Sequence, residues 1–187
     1  MFCKFLHIHR FKSGRKVGSS GFSLIELMII IAIVGIIAGI GYPSLMKSRT
    51  NARTRGVASD IFASLRMAKV EAVKRNINVC LEFTVPNTYM AFLDNGEGGG
   101  AADDCIQNGS EPTFFTKTVE PGTSLSSVAF PPAPDTATGF NSRGLPYNGI
   151  GNIVVQNDSN PQLQYKNTVS IAGRVGIQVT TDGTWPP

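Results

Sequence analysis

The sequence predicts an α+β protein in which one long N-terminal helix packs on an antiparallel β head. Three observations point there. From Leu24 to Met46 the chain is almost unbroken apolar. The stretch after it keeps apolar residues at three- and four-residue spacing as far as about Arg75. From Asn76 the pattern changes to short strand-like runs separated by turn-forming clusters. A length of 187 residues suits one compact domain plus an extended element, and not comfortably two domains.

The first element is the apolar run. Phe22 to Met46 spans about 37 Å as a helix, enough to cross a bilayer. Lys4, Arg10, Lys12, Arg15 and Lys16 precede it with no acidic residue among them, which suits a cytoplasmic flank. Lys47, Arg49, Arg53 and Arg55 follow it, so the charge bias is weaker than that rule prefers. An ordinary secretory signal cut near Ala38-Gly39-Ile40-Gly41 is the competing reading. The apolar run outlasts a usual signal and continues past that cut. Glu26 is the odd residue, because a carboxylate in an apolar span costs about 2.5–3.5 kcal/mol on insertion scales. Two readings stand: a stray acid near the membrane surface, or a charge with a partner. A cut after Gly21 would give Phe22 a new α-amine, and such an amine on a neighbouring subunit would neutralise Glu26.

The second element is the amphipathic continuation. Val57, Ile61, Leu65, Ala68 and Ala72 form one apolar stripe, while Arg53, Asp60, Lys69 and Lys74 fall largely off it. A helix from Phe22 to about Arg75 would be roughly 80 Å long. Pro43 removes one of its hydrogen bonds, so local bending or melting is expected there. The strands expected after it are Val79–Val85, Tyr89–Leu93, Thr113–Val119, Ser126–Phe130, Asn152–Gln156, Gln164–Ile171 and Val175–Thr180. The expected organisation is a leader over 1–21, a membrane and assembly half over 22–46, an amphipathic half over 47–75, and a β domain over 76–187.

Charge and composition exclude several functions. The net charge of +4 is misleading. Without the five cations before Gly21, twelve basic residues face thirteen acidic ones. From Asn76 onward only Lys117, Arg143, Lys166 and Arg174 oppose ten acidic residues, so the head is acidic. His7 and His9 also precede Gly21, and a cut there leaves no imidazole for a catalytic triad, a general base or most zinc sites. No nucleophile–base pair or cofactor motif is visible, and neither an enzyme nor a cofactor is expected. The glycines from Gly96 to Gly100 lack phosphate-loop spacing. Asp94, Glu97, Asp103 and Asp104 lie close together but do not follow calcium-loop spacing, so they read as solvated acids and no metal is expected. Cys80 and Cys105 either form one bridge, closing a loop of about 26 residues worth roughly 3.5 kcal/mol, or remain two thiols. An oxidising compartment favours the bridge.

The run Gly21-Phe22-Ser23-Leu24-Ile25-Glu26, with the apolar stretch Leu27 to Ala38, resembles the leader and N-terminal helix of type IV pilins and pseudopilins. The resemblance implies a prepilin peptidase that cuts after Gly21 and methylates the amine of Phe22. It also implies that Glu26 supports docking and that Pro43 is the helix-disturbing proline common in pilins. Ser64 to Asn76, Phe140-Asn141-Ser142-Arg143-Gly144 and Ile171-Ala172-Gly173-Arg174-Val175 are similar to segments of the GspH/FimT family, although turn chemistry explains much of the last two. Membership implies a structural subunit of a type II secretion pseudopilus or a type IV pilus. Such a subunit sits in the bacterial inner membrane with a periplasmic head, and its partners are other minor and major pilin-like subunits. Some FimT-type members bind DNA through a Gly-Arg-x-Arg motif. Here Arg174 is present, but Gly176 stands where the second arginine would be, and an acidic head disfavours phosphate. Arg174 is therefore the candidate DNA contact only on that alternative reading.

Overall fold

The computed structural model describes residues 21–97, 101–102, 104–108, 110–131 and 136–185. The expected leader, apart from Gly21, and Asp103 lie outside the described residues. The chain divides at Tyr42/Pro43 into two compact units, each described by itself.

Helix α1 covers Leu24–Arg75. Its start is set by Ser23, whose carbonyl accepts the Leu27 N–H at 3.1 Å. Its end is a left-handed cap. Asn76 takes a φ of 55°, and the Ile77 N–H turns back to the Ala72 carbonyl at 3.3 Å. Asparagine tolerates that conformation better than most residues, and the returning bond satisfies a carbonyl the helix would leave open. The helix runs through Pro43 without interruption, so the expected melting there is absent. Only one rung is lost at a proline, and the i−4 position facing the ring is Gly39.

In the unit from Pro43 onward, α1 buries Thr54, Val57, Ala58, Ile61, Ser64, Leu65, Ala68 and Ala72. These include all five residues of the apolar stripe. The stripe packs on two four-stranded antiparallel sheets. The strands are β1 (Asn78–Thr84), β2 (Thr88–Asp94), β3 (Thr113–Thr118), β4 (Thr123–Ala129), β5 (Ala137–Phe140), β6 (Gly151–Asn157), β7 (Asn160–Val169) and β8 (Val175–Thr180). Their order is β3-β2-β1-β5 in the first sheet and β4-β6-β7-β8 in the second. Val79, Leu81 and Phe83 of β1 share the core with Leu125, Ile153, Val155 and Val169 of the second sheet. Cys80 lies among a smaller cluster with Phe92, Cys105 and Ala137. With a core on each side, β1 shows near-continuous burial instead of alternation.

The structure corrects the strand expectations in three places. β5 is an additional strand: Ala-Thr-Gly-Phe is short and contains glycine, yet all four residues are buried beside β1. β4 begins at Thr123, three residues before the expected start, because a register shift between Leu125 and Ser127 breaks the period-two pattern. β7 begins at Asn160 and takes in Pro161, which fits the first residues of a strand. It ends at Val169, since Ser170 and Gly173 close a turn.

Candidate assembly site

The segment Gly21–Ser23 is non-helical and exposed, so the Gly21–Phe22 peptide bond lies in accessible chain just ahead of α1. A Cβ added at Gly21 would meet nothing within 4 Å. The described residues therefore place no steric demand for glycine there. Phe22 is 76% exposed. From Leu24 to Met46 the large apolar side chains are exposed too, and the most apolar window of α1 has a mean hydropathy of 2.7 with none of it buried. Among the described residues nothing covers that surface. Gly35 and Gly39, one turn apart on one face, also meet nothing within 4 Å. Glycine costs about 1 kcal/mol relative to alanine inside a helix, and its gain is close approach of another helix.

Glu26 sits in the first turn of α1, three residues after Ser23. That spacing is the one in which a glutamate serves the helix start, and the helix dipole favours a carboxylate there. Sequence reading overlooked this local function; the signal was the Ser-x-x-Glu pattern itself. A carboxylate at that position is favourable to the helix start whether or not a partner is present, and this adds to the docking reading without replacing it.

In the head, Cys80 and Cys105 are joined by a disulfide with Cα atoms 5.5 Å apart. Asp94 is buried beside them, and one of its oxygens accepts the Cys105 N–H at 2.9 Å. The neighbouring acids fold the loop. Glu111 accepts the N–H groups of Asn95 and Gly96 at 3.1 Å each, Asp104 accepts that of Ile106, and Glu97 pairs with Asn95. Of the candidate calcium cluster, the described carboxylates Asp94, Glu97 and Asp104 thus accept from separate donors. Among the described residues the one group close enough to share a metal is Cys80, Asp94 and Cys105, whose sulfurs are bonded to each other.

A polar clamp missed in the sequence ties the helix to β3. Asp60 accepts from Lys117 Nζ at 2.7 Å and from the Tyr89 hydroxyl. Partial burial works against its charge, but the Lys117 ammonium and the Tyr89 hydroxyl outweigh that and hold Asp60 below its ordinary value. Burial and the same carboxylate push the Tyr89 hydroxyl up. Arg174 is exposed at the β7–β8 turn, where its N–H meets Ser170 Oγ at 3.2 Å. Beside it Lys69 Nζ donates to the Gly173 carbonyl at 2.9 Å. The Arg143-Gly144 turn packs on the same spot: a Cβ at Gly173 would lie 2.4 Å from the Gly144 oxygen. The two motifs that sequence reading set 30 residues apart are one contact.

Comparison with known proteins accounts for both halves. The N-terminal methylation motif of prokaryotes matches residues 17–42. The family described as type II transport protein GspH matches residues 57–173, more than half of the chain. The chain belongs to the GspH family. Type II secretion system core protein G of Klebsiella michiganensis is 41% identical over 49 residues, which are 26% of this chain and 34% of that protein. This chain therefore spans about a third of the length of that curated relative. The minor pseudopilin EpsH from the type 2 secretion system of Vibrio cholerae superposes with a TM-score of 0.51 at 16% identity, covering 68% of this chain and 97% of that one. The type IV minor pilin FimU of Pseudomonas aeruginosa gives 0.48 at 14%, covering 71% and 96%. At that identity the EpsH likeness is one of fold. Membership in GspH makes this chain a structural subunit of the minor pseudopilin and minor pilin kind. The methylation motif spans the expected cut after Gly21 and the first part of α1.

Proposed function

We propose that this GspH-family chain is cut after Gly21, methylated on the amine of Phe22, and assembled through α1 into a pseudopilus or pilus. Before assembly the helix is held in the bacterial inner membrane, with lipid around Leu24 to Met46 and the head in the periplasm. The observation that carries this reading is the apolar half of α1, exposed among the described residues, with Glu26 near its start and two glycines that meet no described residue within 4 Å. Lipid satisfies such a surface in the unassembled subunit, and a bundle of similar helices satisfies it afterwards. Within the bundle Glu26 faces the new amine of a neighbouring Phe22, and the two charges neutralise each other. The subunit performs no reaction. Its work is to bind neighbours.

A clean deletion in the native host tests the reading, scored for exoprotein secretion and for surface piliation with twitching. Loss of secretion with normal pili assigns the chain to a type II pseudopilus. Loss of pili or motility with normal secretion assigns it to a type IV pilus. Normal secretion, piliation and motility together would contradict the proposal.

A further inference from the structure

Of the four sheet edges in the head, three are protected. β3 carries Lys117, and its pairing with β2 is interrupted by a register shift. β4 has its own register shift, and the Leu125 N–H is bonded to the Pro86 carbonyl. β5 is covered by the segment that follows it, through Tyr147 N–H to the Gly139 carbonyl at 2.8 Å and Gly139 N–H to the Asn148 carbonyl at 3.1 Å. The fourth edge, β8, is different. Val175–Thr180 reads Val-Gly-Ile-Gln-Val-Thr, with no charge, no proline and no register shift. Ile177 and Val179 are 42% and 53% exposed. Regular, uncharged edges with exposed apolar side chains are ones proteins normally block, unless another chain pairs with them.

The free hydrogen-bonding groups can be assigned. Ser170 N–H is bonded to the Arg174 carbonyl, and register pairs Thr168 with Gly176 and Lys166 with Gln178. Antiparallel alternation then turns the backbone of Gly176, Gln178 and Thr180 toward β7, and that of Val175, Ile177 and Val179 outward. Beside this edge runs a groove against α1. Phe62, Arg66, Val70 and Val73 face Gly173 to Val175 across a cleft of about 670 Å³. Arg55 and Ser59 face Ile177 to Val179 across another of about 350 Å³. The lining residues fall along α1 as they rise along β8, so the two clefts succeed one another along the same edge. Among the described residues, Arg55, Arg66, Lys69, Lys74 and Arg174 line the two clefts and no acidic residue does, with Lys74 alone of the five paired to a carboxylate, that of Glu71 at 3.4 Å. That is a basic track on an acidic head.

We propose that β8 accepts a strand from another subunit of the same filament, an extended segment with alternating apolar residues and acidic residues beside them. This rests on the filament reading above. The incoming backbone completes the outward groups of Val175, Ile177 and Val179. Its apolar side chains cover Ile177, Val179, Val70 and Val73, and its acids meet Arg55, Arg66 and Arg174. A second copy of this chain is the poorer occupant, because its own β8 would bring a second set of arginines against the first.

The test uses the full-length chain in its native host, with a benzophenone side chain at position 179. Illumination of the filament fraction is expected to join it to another pilin-like subunit, at an extended segment holding an acidic residue. Ile177→Pro removes only an outward N–H, and Ile177→Lys restores the usual edge protection. Each is expected to lower that crosslink about tenfold while protease resistance of the head is retained. Arg174→Glu, at an exposed turn, is expected to do the same and gives a reading if the strand variants fail to fold. Crosslinks only to a second copy or only to DNA, or unchanged yield in the folded variants, would overturn strand pairing. If the unsubstituted chain is present in filaments but crosslinks to no subunit, strand pairing alone fails. If it is absent from filaments, the filament reading fails with it.

Discussion

Gly139 shows how a single residue decides whether the head can close. A Cβ there would come within 2.7 Å of the sulfurs of both Cys80 and Cys105. Gly139→Ala is therefore expected to destabilise the protein by about 1–3 kcal/mol, the usual cost of overpacking, read from urea or thermal melts. Asn167 is the opposite case. It is fully buried on β7 between Ile153 and Ile177, and neither end of its amide has a hydrogen-bond partner. Asn167→Leu keeps the shape and removes the unmet groups, so the melting temperature should hold or rise. A clear fall would show that the amide has a partner. Asp60 sets a pH dependence. Its folded value is depressed, so its contribution is complete above the ordinary value of 3.8 and is lost as pH falls through the folded value. The pair with Lys117 is partly exposed, which limits the contribution to less than about 1 kcal/mol. Asp60→Asn should accordingly lower stability at neutral pH and make progressively less difference as pH falls through the folded value of Asp60. Glu26 and the cysteines stand out in the sequence because they break a local pattern. Asp60 does not, since Lys117 is 57 positions away and nothing local marks the pair.

At the scale of elements, legibility followed periodicity. The stripe of α1 is visible because Val57, Ile61, Leu65, Ala68 and Ala72 all meet one core. β8 is visible because its pairing runs without a register shift. β5 is invisible: four residues with a glycine carry no alternation, and they are a strand only because β1 lies next to them. The order of the two sheets was not legible at all, as pairing depends on contacts remote in sequence. The disulfide belongs to this scale, since it ties β1 to the loop after β2 across a separation of 25 residues. A Cys80→Ser, Cys105→Ser double variant should lose roughly 3.5 kcal/mol in the chain-entropy account. Denaturation with and without reductant measures it, and the double variant should be insensitive to reductant. Equal stability of the two proteins in oxidising buffer would show that the bond contributes little.

At the scale of the whole molecule the account makes one demand: the two functions of Glu26 must separate. Inside one chain its place in the first turn suits the start of α1, and between chains the function proposed for it is to neutralise the amine of Phe22. Glu26→Gln retains hydrogen-bonding capacity at the helix start and abolishes the charge. The variant should be inserted in the membrane and cut, yet be depleted from purified filaments by about tenfold or more, as judged by its ratio to the major subunit. Incorporation equal to the unsubstituted chain would leave Glu26 with its local function alone. The exposed half of α1 was fully legible in the sequence, because a membrane and a helical bundle both demand unbroken apolarity. The docking edge at β8 was not, because a strand reveals itself as an edge only after its neighbours are known.

The central claim is that this chain becomes a filament subunit by a cut that creates a new N-terminus at Phe22. The most direct test is the intact and N-terminal peptide mass of the protein extracted from native membranes. The account predicts a chain beginning at Phe22 with one added methyl group, and the uncut form in a host lacking its prepilin peptidase. A mature chain beginning at any other residue, or an unprocessed chain in the normal host, would contradict it.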